Sequence, residues 1–161
     1  MEKSVKPPGR RRLARELAVQ FLYQFDLSGG SLEEALPLFW QTQSEVSDAG
    51  HKFVEELIHG VIERRAVIDG NIAKYTEHWD LPRIAAVDRN ILRLAIYEML
   101  YRDDIPPVVS INEAVDIAKK FSTRESGAFV NGILDRVKAD LTRPSRTAAA
   151  RGEEHSRRAA Q

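Results

Sequence analysis

The most continuous apolar pattern in the chain spans residues 86–100 and predicts a helix that is buried on nearly all sides. Its apolar positions are Ala86, Val87, Ile91, Leu92, Leu94, Ala95, Ile96, Met99 and Leu100. Only a narrow polar arc around Arg89, Asn90 and Arg93 is left for solvent, and Arg89 is expected to be exposed. Because a helix that is apolar all round must be covered by other helices, this segment is expected to be the hub of the core. Asp88 suits the first turn, whereas Glu98 falls in the apolar arc and is expected to form a buried hydrogen bond.

Two further helices are predicted after this hub. Ile105-Pro106-Pro107 ends it, since a residue before proline is pushed out of the helical region. Ser110-Ile-Asn-Glu113 and Ser122-Thr-Arg-Glu125 have the spacing of capping boxes and predict helices that start at those serines. The short connections predict antiparallel packing of the three helices.

The N-terminal part predicts an arginine-rich first helix from Arg10 to about Leu27, closed by Gly29-Gly30. Its buried face is expected to comprise Ala14, Leu17, Ala18, Phe21, Leu22 and Phe25. The residues expected to point elsewhere are Arg12, Arg15, Glu16, Val19 and Tyr23. A short helix after Ser31 and a long helix from Asp48 through Tyr75 follow, with Gly60 and Gly70 as sites of a bend or a close helix contact. The pattern therefore predicts an all-α protein of about seven helices.

Composition narrows the class of protein. The 161 residues include no cysteine, which excludes disulfides and thiolate chemistry, and no apolar run of the roughly 20 residues that cross a bilayer. A cytoplasmic location without membrane contact is expected. Residues 1–12 carry a net charge of +4 and residues 143–161 a net charge of +3, so the neutral whole leaves −7 on the body. A basic arm on an acidic body is typical of a protein with an anionic and a basic partner, although charged ends can also serve solubility alone.

The titratable residues do not indicate an enzyme. Glu56-x-x-His59 has the spacing of a di-iron carboxylate motif, but a second copy is lacking in the body of the chain. No glycine-rich phosphate loop follows a strand. We therefore expect no catalytic residues, no metal and no cofactor, and we expect a binding function.

Several motifs in the right order resemble the NusB family of bacterial transcription antitermination factors. They are the run from Val87 to Glu98, Ile111-Asn-Glu-Ala114, the segment from Phe129 to Asp135, and the arginine-rich segment from Arg10 to Tyr23. The resemblance covers roughly residues 10–141. It implies a double helical bundle in a single domain. Residues 1–9 lack periodicity and residues 142–161 are small and polar, so a disordered basic arm and a disordered tail are expected on either side.

The resemblance also implies an RNA contact and a protein contact. In the family, the arginine-rich segment binds single-stranded boxA RNA of ribosomal RNA transcripts, which suggests contacts from Lys6, Arg10, Arg11, Arg12, Arg15 and Phe129. A phenylalanine at the position of Phe129 is more often a core residue, although in the family it can face RNA. Leu13 stands where a further arginine would strengthen the motif. The protein partner implied is a small-subunit ribosomal protein, NusE, at a surface near Tyr23, Asp88 and Glu125, within an RNA polymerase antitermination complex.

Two other functions fit the same motifs. NusB-like domains also precede some RNA cytosine methyltransferases, so the chain could be the RNA-binding domain of such an enzyme. Alternatively, it could be a structural homodimer whose arginine helix is masked by a second copy.

Overall fold

Seven α-helices and one short 3-10 helix make up the residues that the computed structural model describes, which are 9–44, 46–76 and 81–142. The α-helices are α1 (Arg10–Ser28), α2 (Leu32–Gln41), α3 (Asp48–Glu63), α4 (Arg65–Tyr75), α5 (Ala86–Tyr101), α6 (Pro107–Phe121) and α7 (Arg124–Thr142). The all-α prediction is confirmed. The basic arm and the tail lie outside the described residues, apart from Gly9 and Thr142.

Helix α5 is the hub that its apolar pattern predicts. Its residues 90–99 are all buried, and it packs against α1, α3, α4, α6 and α7. Helix α1 packs on both α2 and α3, whereas α6 and α7 pack together and α4 bridges to both α3 and α7. The two groups share one core because α5 contributes to both.

The polar arc of α5 faces protein rather than solvent, so the prediction of an exposed Arg89 is wrong. Arg93 donates to Asp26 at 2.9 Å and to Asp69 at 2.8 Å. Arg89 and Asn90 also donate to Asp26, at 2.9 and 3.1 Å. Burial opposes ionisation of Asp26, but the hydrogen bonds from Arg89 and Asn90 lower its pKa below the ordinary value. Three helices are thus joined by charged groups that satisfy each other.

Glu98 forms the buried hydrogen bonds that its place in the apolar arc predicts. Arg15 donates Nε and Nη2 to its two carboxylate oxygens, both at 2.9 Å, and Ser110 donates Oγ at 3.0 Å. The expectation that Arg15, Glu16 and Val19 point away from the core is wrong, since all three are buried. Helix α1 packs against both α3 and α5, so more than one of its faces is covered.

The two helices after the hub do not begin at the predicted serines. Helix α6 begins at Pro107, because the fixed φ of proline suits the first helical position and its missing N–H is not needed there. Ser110 is therefore inside α6 and bonds Glu98 instead of capping. At α7, the hydroxyl of Thr123 accepts the N–H of Ser126 at 3.1 Å, so the side chain that caps this helix is Thr123 rather than Ser122.

The predicted long helix from Asp48 to Tyr75 is two helices, separated at Arg64. The close contact predicted at a glycine occurs at Gly60, where an added Cβ would lie 2.0 Å from Cζ of Tyr97 on α5. Gly70 on α4 has nothing within 4 Å of the same position. Gly60 therefore lets α3 approach the hub, whereas Gly70 has no such role.

We expect Gly60→Ala to destabilise the protein by roughly 1–3 kcal/mol, because the new methyl group overlaps the Tyr97 ring. Gly70→Ala is the matched control and should stabilise by about 0.5–1 kcal/mol, since alanine favours a helix interior. Urea denaturation followed by circular dichroism measures both. Equal changes in the free energy of unfolding for the two variants would contradict the role given to Gly60.

Candidate nucleic-acid interface

The start of α1 carries exposed positive charge. Arg10 and Arg11 are exposed, no acidic residue lies in the first turn, and the N-cap residue Gly9 offers no side chain to the free N–H groups. Cations at a helix N-terminus are disfavoured by the helix dipole, and unsatisfied N–H groups attract anions. Residues 10–12, here called the arginine segment, are thus suited to an external anion. Lys6 lies outside the described residues.

An aromatic ring holds Arg11 in place. The guanidinium carbon of Arg11 lies 4.6 Å from the centre of the Phe53 ring on α3, an arrangement typical of a cation–π contact. Arg102 lies 5.5 Å from the same ring but donates to Asp104 at 2.9 Å and to Glu56 at 2.8 Å. The hydrogen bond from Arg102 lowers the pKa of Asp104 to about 2, and the charge of Arg11 acts in the same direction. Among the described residues Arg11 forms no direct ion pair, although its charge interacts with Asp104, whose carboxylate is bonded to Arg102.

Arg12 differs from its neighbours because carboxylates of α6 hold it. Its Nη2 lies 2.8 Å from Asp116 Oδ2, and its Nε donates to Glu113. The hydrogen bond to Glu113 is the largest cause of a raised pKa at Arg12. One turn further along, Lys120 of α6 donates to Glu16 of α1 at 3.0 Å. Side-chain ion pairs thus connect α1 and α6.

The predicted RNA-binding residues therefore do not form one surface. The guanidinium of Arg15 is committed to Glu98, and only 3% of the residue is exposed. The structure does not support an RNA contact by Arg15, because the Nε and Nη2 groups that donate to Glu98 are buried in the core. Arg10 and Arg11 remain open, and Arg12 is half-exposed.

A pocket between α5 and α7 brings together three other predicted residues. It has a volume of about 350 Å³, and Asp88, Glu125 and Phe129 all line it. The remaining lining residues are Arg83, Ile84, Ala85, Thr123 and Ser126. Glu125 is exposed and Phe129 half-buried, so an acidic rim stands beside an aromatic wall. Tyr23, the remaining predicted partner residue, is half-buried on α1 and does not line this pocket.

Asp88 is the unusual group of this pocket. The residue is 6% exposed, its Oδ2 accepts a hydrogen bond from Ser126 Oγ at 3.1 Å, and its Oδ1 has no partner among the described residues. Burial raises the pKa of Asp88, and the bond from Ser126 only partly opposes this. A buried carboxylate oxygen without a donor is costly, so it suits a donor brought by a partner.

Sequence reasoning missed Arg83, Ile84 and Ser126 as parts of the pocket. Ser126 comes directly after the supposed capping box of residues 122–125, and no predicted motif includes Ile84. The side-chain donor to Asp88 is 38 residues distant in sequence, so no local pattern reveals it. In the described residues, no cluster of His, Asp and Glu could hold a metal ion, and no helix is long and apolar enough to span a membrane.

Comparison with known proteins agrees with the fold and the motifs. The NusB family model matches residues 12–139. The chain is 48% identical over 131 residues to the transcription antitermination protein NusB of Desulforapulum autotrophicum, covering 81% of this chain and 92% of that protein. It is similar to the solved structure of NusB from T. maritima, with a TM-score of 0.72, 40% identity, and coverage of 83% and 92% of the two chains.

A further similar chain comes from the crystal structure of antitermination factors NusB and NusE in complex with double-stranded RNA. The TM-score is 0.73 at 26% identity, and the match covers 80% of this chain and 95% of that one. Like the antitermination factors that it matches, the chain is non-catalytic. With the family model covering most of the seven-helix body and close relatives matching over nearly their whole length, the chain belongs to the NusB family.

Proposed function

We propose that the chain is a transcription antitermination factor that binds boxA-type single-stranded RNA of ribosomal RNA transcripts together with NusE, and so promotes ribosomal RNA transcription. The observation that carries the proposal is the arginine segment, in which Arg10 and Arg11 are exposed at a helix N-terminus without a first-turn acid. The names of the relatives support antitermination, and one similar structure contains NusB, NusE and RNA.

Arginine is suited to this contact for two reasons. Its planar guanidinium donates two parallel hydrogen bonds to a phosphate, and its face stacks on unpaired bases. The Phe53 ring already holds Arg11, so less side-chain freedom is lost when a phosphate is bound. The RNA in the similar structure is double-stranded, so the single-stranded preference proposed here rests on this chemistry and on the family resemblance.

The pocket between α5 and α7 is the proposed contact for a basic protein such as NusE. Asp88 offers an unsatisfied carboxylate oxygen, Glu125 adds charge at the rim, and Phe129 provides apolar surface. A lysine or arginine of the partner would satisfy Asp88 and be attracted by the acidic body. Tyr23 is retained as a further contact, on α1. Cytoplasmic location and association with the RNA polymerase complex belong to the same proposal.

The two alternatives have less support. The D. autotrophicum relative is matched over 92% of its length, which favours an antitermination factor over a domain of a methyltransferase. A homodimer would have to cover the arginine segment, and no observation in the described residues favours that arrangement over RNA.

The first test replaces both exposed arginines. Arg10→Ala/Arg11→Ala should weaken binding of single-stranded boxA-type RNA and make the log–log salt slope shallower by about 1.4, because each phosphate contact contributes about 0.7. Fluorescence anisotropy from low to high salt measures the slope.

The matched control is Lys74→Ala/Lys138→Ala, which removes the same charge from α4 and α7. It should leave the slope near that of the unaltered protein. Equal losses in both double variants would show that net charge alone, and not the arginine segment, sets RNA affinity.

The second test concerns Asp88. Asp88→Asn keeps an oxygen for the Ser126 hydroxyl but removes the buried charge, so it should raise the free energy of unfolding by roughly 1 kcal/mol at neutral pH. Since the pKa of Asp88 is raised in the folded state, the carboxylate of the native protein is protonated at a higher pH than that of the unfolded chain. The gain should therefore shrink as pH falls through that raised pKa, and be smallest below the ordinary value of 3.8.

The same variant should bind NusE more weakly in titration calorimetry, because its amide cannot pair with a cationic donor. Glu63→Gln, on exposed α3 surface, is the control and should change neither quantity. Unchanged affinity for NusE with Asp88→Asn would remove this pocket from the proposed interface.

A further inference from the structure

The carboxylates of α6 that hold Arg12 face the same side as the arginine segment. Glu113, Asp116 and Lys120 recur at spacings of three and four, so they share one face of α6, and that face is joined to α1 through Arg12 and Glu16. Helices α1 and α6 both pack on α5. The ion pairs therefore bridge two helices at the edge of the surface proposed to meet RNA.

These contacts leave local negative charge beside the arginines. Two carboxylates meet the single guanidinium of Arg12, for a local sum of −1, while Glu16 and Lys120 cancel. A phosphate that approaches Arg12 has to replace a carboxylate or lie next to it. In water such neighbouring like charges repel by about 1 kcal/mol at 4 Å.

The two carboxylates are not equally placed. The side chain of Glu113 is 20% exposed and bonds Nε, the nitrogen nearer the chain, whereas that of Asp116 is 49% exposed and bonds the terminal Nη2. Asp116 can therefore turn into solvent while Glu113 keeps Arg12 in position. The bond from Nη2 to Asp116 is also the exposed one of the two, whereas the bond from Nε to Glu113 is half-buried.

We propose that Asp116 is an affinity-setting residue that occupies Arg12 in the free protein, in competition with an RNA phosphate. Engagement of Arg12 by RNA requires displacement of the Asp116 carboxylate, and Glu113 holds the guanidinium for that exchange. The inference rests on the proposed RNA-binding function. It adds that carboxylates of another helix hold Arg12, unlike Arg10 and Arg11, and that one of them sets how much Arg12 contributes to RNA binding.

The test is a gain of binding in the full chain. Asp116→Asn should bind a single-stranded boxA-type RNA about two- to five-fold more tightly at low salt, since ion pairs of half-exposed groups shift an equilibrium by no more than about this factor. Its log–log salt slope should be steeper by about 0.7, which corresponds to one more phosphate contact. Asp135→Asn, an exposed change of equal charge on α7, should do neither.

A cycle with Arg12→Ala assigns the effect. In the otherwise unaltered protein Arg12→Ala should reduce affinity little, whereas in the Asp116→Asn background it should abolish the gain. Weaker binding by Asp116→Asn would overturn the proposal and show that the carboxylate positions Arg12 for RNA. Unchanged binding, or a gain that survives Arg12→Ala, would also overturn it.

The outcomes separate this inference from the function beneath it. If the unaltered protein binds RNA through Arg10 and Arg11 but Asp116→Asn has no effect, only the inference fails. If neither the unaltered protein nor Asp116→Asn binds RNA, the proposed function fails and the inference with it. Thermal melting of each variant checks that the fold is intact, which the half-exposed position of Asp116 favours.

Discussion

The ion pair between Arg15 and Glu98 fixes how the first helix sits on the rest of the molecule. Glu98 is 1% exposed, and it accepts hydrogen bonds from α1 through Arg15 and from α6 through Ser110. Removing one partner of such a pair leaves a buried charge, which is far more destabilising than replacing both. The bridge therefore sets the position of α1 against α5 and α6, and with it the position of the arginine segment.

Because α1 is fixed in this position, its arginines differ in burial and therefore in role. Arg15 is committed to the core, Arg12 is shared with the carboxylates of α6, and Arg10 and Arg11 remain open to solvent. A short basic stretch thus contains one structural residue, one residue paired with carboxylates and two exposed residues, of which Arg11 stacks on Phe53. The same division applies to acids, because Glu98 serves the core whereas Asp88 lies in a pocket with one oxygen unsatisfied.

The sequence predicted what depends on local periodicity. The all-round apolar pattern of α5 identified the hub, and the position of Glu98 within that pattern correctly indicated a buried hydrogen bond. Gly60 was identified as a candidate close contact because glycine is unfavourable inside a helix unless something needs the space. In each case the local pattern shows that a position needs a contact, but not which residue provides it.

Features that depend on distant partners were missed. Arg15 was assigned to the surface because its partner Glu98 is 83 positions away, and Arg93 because Asp26 is 67 positions away. An isolated arginine is expected outside the core, and only the fold supplies the carboxylate that reverses this. Likewise, Ser110 matched a capping box. The helix starts earlier, at Pro107, and the Ser110 hydroxyl donates to Glu98 instead of capping.

The candidate interface follows the same rule. Motif resemblance suggested Asp88, Glu125 and Phe129 separately, whereas only the packing of α7 on α5 places them around one pocket. Which arginines can meet RNA is likewise a property of packing, since all of them look equivalent along the helix. The structure therefore leaves fewer arginines of the first helix exposed for RNA than the sequence predicted.

The most direct measurement asks whether Arg15 belongs to the fold or to the RNA contact. Arg15→Met alone should destabilise by about 3–5 kcal/mol, and Arg15→Met/Glu98→Met should recover most of that loss, because no buried charge is left. We expect the folded double variant to bind boxA-type RNA with the affinity and salt slope of the unaltered protein. A folded double variant with weaker binding and a slope shallower by about 0.7 would show that Arg15 contacts phosphate, and would contradict this division of the first helix.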